Sequence, residues 1–190
     1  MIPYEFNAEQ LSRWMAYVLR HNPQRYGLTP DRHGYVDLEA LLQIVRRRYQ
    51  DVSPQRLHKF LQSDEAARFE VAGPLVRARY GHSIPADPVG PPVEPPPRLY
   101  HGTEAARVAS ILADGLAPMD RRLLHLSSTL EEAWAVAARK YERPAVVRVL
   151  AQEAHRSGVA FYRERNVYLA SHIPPPFLVP DAAPSPAIEP

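Results

Sequence analysis

The 190-residue sequence predicts an α+β protein built from two lobes that a proline-rich segment connects. Of the 21 prolines, seven fall in residues 85–97 and seven in residues 174–190. The folded lobes are therefore expected over residues 1–84 and 98–179, with a disordered tail over 180–190. Before the first proline cluster, apolar residues recur at helical spacing in three stretches, whereas after it short alternating stretches typical of strands dominate.

The first lobe is predicted to hold three helices followed by a β-hairpin. Asn7 is suited to cap the first helix, which carries Arg20 and His21 in its last turn. The second and third helices are expected to begin at Asp37 and Ser53. Alternating stretches on either side of a Gly-Pro turn predict the hairpin strands, over residues 68–72 and 75–80. Three helices with a terminal hairpin are typical of a winged-helix module.

Proline rules out helix and central strand in residues 85–97, which predicts a semi-rigid, extended connector. In the second lobe, Thr103 is a candidate cap for a helix ending at Gly115. Ser128 and Glu131 form a candidate capping box for another helix. Short strands are predicted over residues 123–126, 145–150, 159–162 and 166–170.

Composition excludes several classes of protein. The chain has no cysteine, so it has no disulfide framework, thiolate nucleophile or zinc ribbon. No apolar run approaches the roughly 18 residues of a membrane span, and the first twenty residues carry charges where a signal peptide would be apolar. A cytoplasmic monomer without membrane contacts is expected. The eight histidines never fall at the short spacing of a metal pair, so no metal site is expected.

The charged residues of the chain do not identify a binding partner. The formal net charge is only +2, but 21 of the 23 basic residues are arginine. The planar guanidinium fork of arginine suits phosphate groups. A GC-rich genome would produce the same bias, so composition alone names no partner.

Histidine and arginine recur beside small polar residues in six short motifs. Singly, each has a structural interpretation, such as favourable cations at a helix C-terminus or the solvent face of a hairpin strand. The motifs are LRHNP at 19–23, VRARYGHS at 76–83, LYHGT at 99–103, HLSS at 125–128, AARK at 137–140 and NVYL at 166–169.

In this order and spacing, the motifs resemble the RNA 2′-phosphotransferase family over residues 11–178. The resemblance implies a winged-helix lobe joined to an ADP-ribosyltransferase-like lobe, with NAD and 2′-phosphorylated RNA meeting between them and no metal required. It implies two steps. The RNA 2′-phosphate attacks the nicotinamide-bearing ribose carbon of NAD and expels nicotinamide. The neighbouring ribose hydroxyl then attacks phosphorus, leaving a 2′-hydroxyl on the RNA and ADP-ribose cyclic phosphate.

The same resemblance implies the roles of individual residues. Four are expected to act on the phosphate: Arg20, His21, Arg77 and Arg139. Five are expected to bind NAD: His101, Gly102, Thr103, His125 and Ser127. The carboxylate that many ADP-ribosyltransferase lobes supply is absent from the NVYL motif, which suits a nucleophile that is already a phosphate.

Two departures from the family pattern leave alternatives open. The segment after the second-lobe helix has an extra residue, so either Arg139 or Arg143 could contact the phosphate; Arg139 is favoured because it ends the helix. Arg79 is a second candidate phosphate ligand in the hairpin.

Two other functions also remain. One is an ADP-ribosyltransferase that caps nucleic-acid 5′-phosphates, and the other is a non-enzymatic winged-helix nucleic-acid binder with a local basic face.

Overall fold

The computed structural model describes residues 7–50, 52–63 and 66–181. The chain divides into two compact units, residues 1–89 and 90–190. Each unit combines helices with one antiparallel sheet, so the predicted mixture of helix and strand is confirmed. Within the described ranges, no helix is both long and apolar enough to cross a membrane.

The first unit contains three helices and a three-stranded antiparallel sheet. Its elements are α1 (Ala8–His21), β1 (Val36–Asp37), α2 (Leu38–Arg48), α3 (Pro54–Leu61), β2 (Phe69–Ala72) and β3 (Leu75–Ala78). The strand order is β1-β3-β2, so the short β1 adds a strand to the predicted hairpin. The predicted cap at Asn7 and the predicted helix starts at Asp37 and Ser53 are confirmed, because all three side chains accept hydrogen bonds from first-turn backbone N–H groups.

Helix α1 packs into the core of the first unit, and its last turn contacts the segment after β3. The predicted apolar stripe of α1 is buried, with Leu11, Met15 and Val18 at 0% exposure. At the C-terminus of the helix, the Arg20 carbonyl accepts hydrogen bonds from the backbone N–H groups of Ser83, at 3.0 Å, and Ile84, at 3.4 Å. The last turn of α1 is thereby attached to the segment that follows β3.

The second unit is built on a six-stranded antiparallel sheet. Its strands are β4 (Leu99–Glu104), β5 (Leu124–Ser127), β6 (Pro144–Val149), β7 (Tyr162–Glu164), β8 (Val167–Ala170) and β9 (Leu178–Asp181). Their order is β7-β8-β5-β4-β6-β9. Three helices accompany the sheet: α4 (Val108–Asp114), α5 (Leu130–Ala138) and α6 (Ala151–Arg156).

Two predicted helix starts in the second unit are wrong. Thr103 caps no helix: it lies inside β4 opposite Ala145, so its extended backbone belongs to the sheet ladder, and α4 begins only at Val108. The N-cap of α5 is Thr129, whose hydroxyl accepts the backbone N–H of Glu132. The hydroxyl of Ser128, the predicted cap, instead donates to the carbonyl of Asn166.

Residues 151–181 contain a helix and a strand that the sequence did not predict. The strand expected over 159–162 lies at Tyr162–Glu164, and α6 is an additional helix that the sequence prediction lacked. The predicted disordered tail begins at residue 180, yet Pro180 and Asp181 belong to β9, which pairs with β6. Residues 182–190 lie outside the described residues.

The proline-rich segment hydrogen-bonds at both ends. The backbone N–H of Asp87 donates to the Arg32 carbonyl within the first unit. Within the second unit, Val93 donates to the Phe161 carbonyl at 2.7 Å. Prolines supply no N–H groups of their own, so these few donors and acceptors attach the segment to the two units.

Candidate active site

The last turn of α1 presents Arg20 and His21 beside the segment after β3. The His21 ring Nδ1 lies 2.9 Å from the Ser83 hydroxyl, and the Arg20 guanidinium lies over the Tyr80 ring at 5.3 Å. Gly81 lies between the Tyr80 and Ser83 of these two contacts. Its φ is +91°, a left-handed conformation that favours glycine. A Cβ there would lie 3.2 Å from Arg20 Nε, so the glycine also permits the close approach of the guanidinium.

Arg77 on β3 is held in a fixed orientation. Its side chain is 2% exposed, and its Nε donates to Glu70 Oε2 at 2.7 Å. Its Nη1 donates to the Arg79 carbonyl at 3.1 Å. The guanidinium also lies over the Tyr35 ring at 5.2 Å. The fork of Arg77 is therefore oriented before any ligand binds.

In this cluster, positive charge outweighs negative charge. Burial acts to raise the pKa of the Glu70 carboxyl, but the charges and hydrogen bonds of Arg77 and Arg79 outweigh it and lower that pKa. Burial, together with the positive charges of Arg20, Arg77 and His21, lowers the pKa of His82 to about 4. His82 is therefore neutral near pH 7. The positive charges of Arg20 and Arg77 would attract an anion to this cluster.

Three of the four predicted phosphate residues lie near one another. The positive charges of Arg20, Arg77 and His21 add to burial in lowering the pKa of His82, which lies at the same end of α1. The fourth, Arg139, belongs to the second unit, where it is exposed at the C-terminal cap of α5. Its alternative, Arg143, is exposed as well, so both candidates stay open.

The predicted NAD residue His101 lies in β4, next to the point where β4 pairs with β5. Its ring Nδ1 is 3.1 Å from the His125 carbonyl. A carbonyl only accepts hydrogen bonds, so this contact assigns the proton to Nδ1 and leaves Nε2 as an acceptor. Burial lowers the pKa of His101, and the charges of Arg107 and Arg121 act in the same direction. Near pH 7 the ring is a neutral acceptor of the kind that a ribose hydroxyl can donate to.

The other predicted NAD residues have different surroundings. Gly102 lies under α5, where a Cβ would be 2.3 Å from the Ala133 carbonyl oxygen, so its requirement for glycine is one of packing. Thr103 is 2% exposed. His125 Nδ1 lies 3.1 Å from Arg121 Nη1. Ser127 is half-buried where β5 meets β4.

Two contributors were missed by the sequence analysis as site residues. Glu70 lies directly opposite Arg77 in the register of β2 and β3, so the predicted hairpin, aligned on its turn, contained the signal for this pair. Tyr35, which contacts the same guanidinium, lies far from both residues in sequence and gave no local signal. Among the described residues, no group of three or more potential metal ligands occurs.

Comparisons with known proteins place these residues in a family. The model of the family described as RNA 2′-phosphotransferase, Tpt1/KptA family, matches residues 7–172. A Streptomyces coelicolor protein named "Probable RNA 2′-phosphotransferase" is 40% identical over 170 residues, covering 89% of this chain and 93% of the relative. Relatives with the same name occur in Rhizobium leguminosarum (38% identity; 91% and 94% coverage) and Methanosarcina mazei (34%; 90% and 82%).

The family match spans the segments that carry both groups of predicted site residues, from Arg20 at the end of α1 to Arg139 at the end of α5. The resemblance drawn from the six short motifs is confirmed. The chain belongs to the RNA 2′-phosphotransferase (Tpt1/KptA) family of transferase enzymes.

Proposed function

We propose that this RNA 2′-phosphotransferase removes a 2′-phosphate from RNA with NAD as co-substrate, through an ADP-ribosylated phosphate intermediate. One observation carries the proposal: Arg20 and His21, at the end of α1, contact Tyr80 and Ser83 in the segment that directly follows Arg77 on β3, so the three side chains are grouped around the buried His82. A cluster of this kind suits a dianionic phosphate, because positioning and charge stabilisation dominate phosphoryl chemistry.

In the first step, the 2′-phosphate oxygen attacks the ribose carbon of NAD and nicotinamide leaves. Arg77 would hold the phosphate in line through N–H groups that its contacts with Glu70 and Arg79 have oriented. Arg20, with its guanidinium over Tyr80, would supply a second fork. Arg139, or its alternative Arg143, is proposed as the third. Loss of one such contact typically costs about 3 kcal/mol, or about 10²-fold in rate.

The NAD ribose is assigned to His101. Its neutral ring and its Nδ1 hydrogen bond to the His125 carbonyl leave Nε2 able to accept from a ribose hydroxyl. Gly102 would act indirectly, by letting α5 pack against β4. We assign Thr103, His125 and Ser127 to the same NAD site, on the strength of the family motifs and their places on β4 and β5.

In the second step, the ribose hydroxyl next to the substituted carbon attacks phosphorus, and the RNA 2′-oxygen leaves with a proton. His21 is the proposed proton donor, since an imidazole titrates near neutral pH. The contact between its Nδ1 and the Ser83 hydroxyl, 2.9 Å, would orient the ring. The products are RNA with a 2′-hydroxyl and ADP-ribose cyclic phosphate.

The two units support a matching assignment of folds. Three helices with a three-stranded antiparallel sheet fit a winged-helix module in the first unit. A six-stranded antiparallel sheet that carries the NAD-binding histidine fits an ADP-ribosyltransferase-like lobe in the second. On this assignment, RNA phosphate binds the first unit and NAD binds the second.

The test is incubation of the protein with NAD and an oligoribonucleotide that carries one internal 2′-phosphate. The proposal expects nicotinamide release in step with conversion of the oligonucleotide to its 2′-hydroxyl form. A matched oligonucleotide with a 5′-phosphate is the comparison. A stable ADP-ribosylated 5′ end, with the 2′-phosphate untouched, would instead identify a capping enzyme. RNA binding without any nicotinamide release would identify a non-enzymatic binder.

A further inference from the structure

The turn between β7 and β8 forms a second cationic feature, separate from the Arg77 cluster. A cavity of about 420 Å³ in the second unit is lined by Arg163, Arg165 and Asn166. All three side chains are exposed and polar, and two are positively charged. Within the residues that the structure describes, neither arginine forms an ion pair with a carboxylate. Their charge is therefore available to a ligand.

Arg163 is held in place by its neighbours. Its guanidinium lies over the Tyr168 ring at 5.6 Å, across the antiparallel pair that the two residues form. Its Nε donates to the Arg165 carbonyl at 2.8 Å. These contacts engage the ring-facing side and the Nε of the fork, and among the described residues its two terminal nitrogens form no hydrogen bond. Terminal nitrogens of this kind bind a phosphate through paired hydrogen bonds.

Arg165 has a backbone conformation that its side chain does not favour. Its φ is +55°, and it is the single non-glycine residue with positive φ in the described chain. A non-glycine residue held there costs about 1 kcal/mol or more. The conformation places a second arginine on the tip of a two-residue turn between β7 and β8.

The turn adjoins the strand that carries two proposed NAD residues. β8 pairs with β5, with Val167 opposite Ser127 and Leu169 opposite His125. The Ser128 hydroxyl donates to the carbonyl of Asn166 in the turn. The arginine-lined cavity therefore lies at the end of β5 where Ser127 is located.

We propose that Arg163 and Arg165 form a phosphate-binding site for a nucleotide substrate, additional to the site for the transferred phosphate. The proposal rests on the proposed function, which supplies two sources of the same chemistry. One source is a phosphodiester of the RNA flanking the 2′-phosphate, and the other is the diphosphate of NAD. Guanidinium groups bind either kind of phosphate, so the experiment has one arm for each.

The test measures equilibrium binding with the double variant Arg163→Gln/Arg165→Gln. Affinity for a fluorescein-labelled 2′-phosphorylated oligoribonucleotide is followed by anisotropy, and affinity for NAD by calorimetry. The matched control is Arg98→Gln/Arg156→Gln, which removes the same charge from exposed positions of the same unit. Both readouts are independent of turnover, so they remain informative if the proposed reaction fails.

If RNA is the source, the variant should bind the oligonucleotide about tenfold more weakly than the control does, with a shallower dependence of affinity on salt. If NAD is the source, the tenfold loss should appear in the NAD arm. The double lysine variant Arg163→Lys/Arg165→Lys should recover part of the lost affinity. The proposal is overturned if the glutamine variant, with an unchanged unfolding temperature, binds both substrates as tightly as the control.

Discussion

Arg77 and Glu70 face each other across β2 and β3 and form an ion pair, with Arg77 Nε 2.7 Å from Glu70 Oε2. The pair is asymmetric in exposure: the Arg77 side chain is 2% exposed, whereas that of Glu70 is 27% exposed. Glu70 therefore fixes the arginine from the more accessible side of the pair. An oriented guanidinium does not have to be reorganised when a phosphate arrives, and such preorganisation is a main source of charge stabilisation.

Glu70→Gln should lower kcat/KM for 2′-phosphorylated RNA about tenfold, because the amide keeps an acceptor for Arg77 but not the charge that orients it. Affinity for NAD should not change. Steady-state kinetics with RNA as the varied substrate make the measurement, and Glu39→Gln, at an exposed position of α2, is the control for the lost charge. A Glu70→Gln enzyme with the kinetics of the control would show that the pair has no part in positioning Arg77.

Ser83→Ala should slow the second step about fivefold, since its hydroxyl lies 2.9 Å from His21 Nδ1 and a neutral hydrogen bond contributes about 1 kcal/mol. His21→Ala should slow that step further and let the ADP-ribosylated RNA accumulate. Rapid-quench time courses separate the two steps. Ser110→Ala, which also removes a hydroxyl bonded to a backbone carbonyl, is the control. If Ser83→Ala slows only nicotinamide release, the assigned role of His21 is incorrect.

Stability should fall on acidification because of His82. Its pKa drops from 6.5 to about 4 on folding, so the unfolded chain binds more protons between these values. The stabilisation from the neutral ring is present above pH 6.5 and is lost as the pH falls towards 4. Between pH 7 and pH 5, the His82 contribution to the free energy of unfolding should decrease by about 2 kcal/mol. Urea unfolding of His82→Asn should lack this part of the pH dependence; equal dependence in both proteins would contradict the assignment.

Gly102→Ala should destabilise the second unit by about 3 kcal/mol, because its Cβ would overlap the Ala133 carbonyl oxygen of α5 at 2.3 Å. NAD affinity should fall with it, since His101 is the adjacent residue. Gly27→Ala is the comparison: it has φ +76° but nothing within 4 Å, so it isolates the cost of the backbone, about 1 kcal/mol. Thermal and urea unfolding report the difference. Equal losses for the two variants would show that the strand and helix can separate.

The helices of the first unit were predicted well from short stretches of sequence. The caps at Asn7, Asp37 and Ser53 and the apolar stripe of α1 depend on residues within one or two turns, and sequence contains that information directly. The prediction that Thr103 caps a helix was wrong, because a threonine suits both a cap and a strand, and pairing with β6 decides between them. β9 lay within a proline-rich stretch, and its pairing with β6 depends on contacts between distant residues.

In the candidate site, too, local motifs could be read from the sequence, whereas contacts between distant residues could not. Arg20, His21 and Arg77 were predicted because they lie in short motifs. Their proximity depends on how α1 packs against β3, which sequence spacing does not contain. Tyr35 was missed for that reason, since its contact with Arg77 joins residues far apart in the chain. The choice between Arg139 and Arg143 remains a prediction.

In the proposed reaction, one phosphorus atom passes from RNA to the ribose of NAD. The most direct measurement follows an oligoribonucleotide whose 2′-phosphate alone carries ³²P, incubated with the protein and NAD. All of the label should be recovered in ADP-ribose cyclic phosphate, in equimolar amount to the nicotinamide released. Recovery of the label as inorganic phosphate, or its retention on RNA while nicotinamide is released, would contradict the two-step transfer.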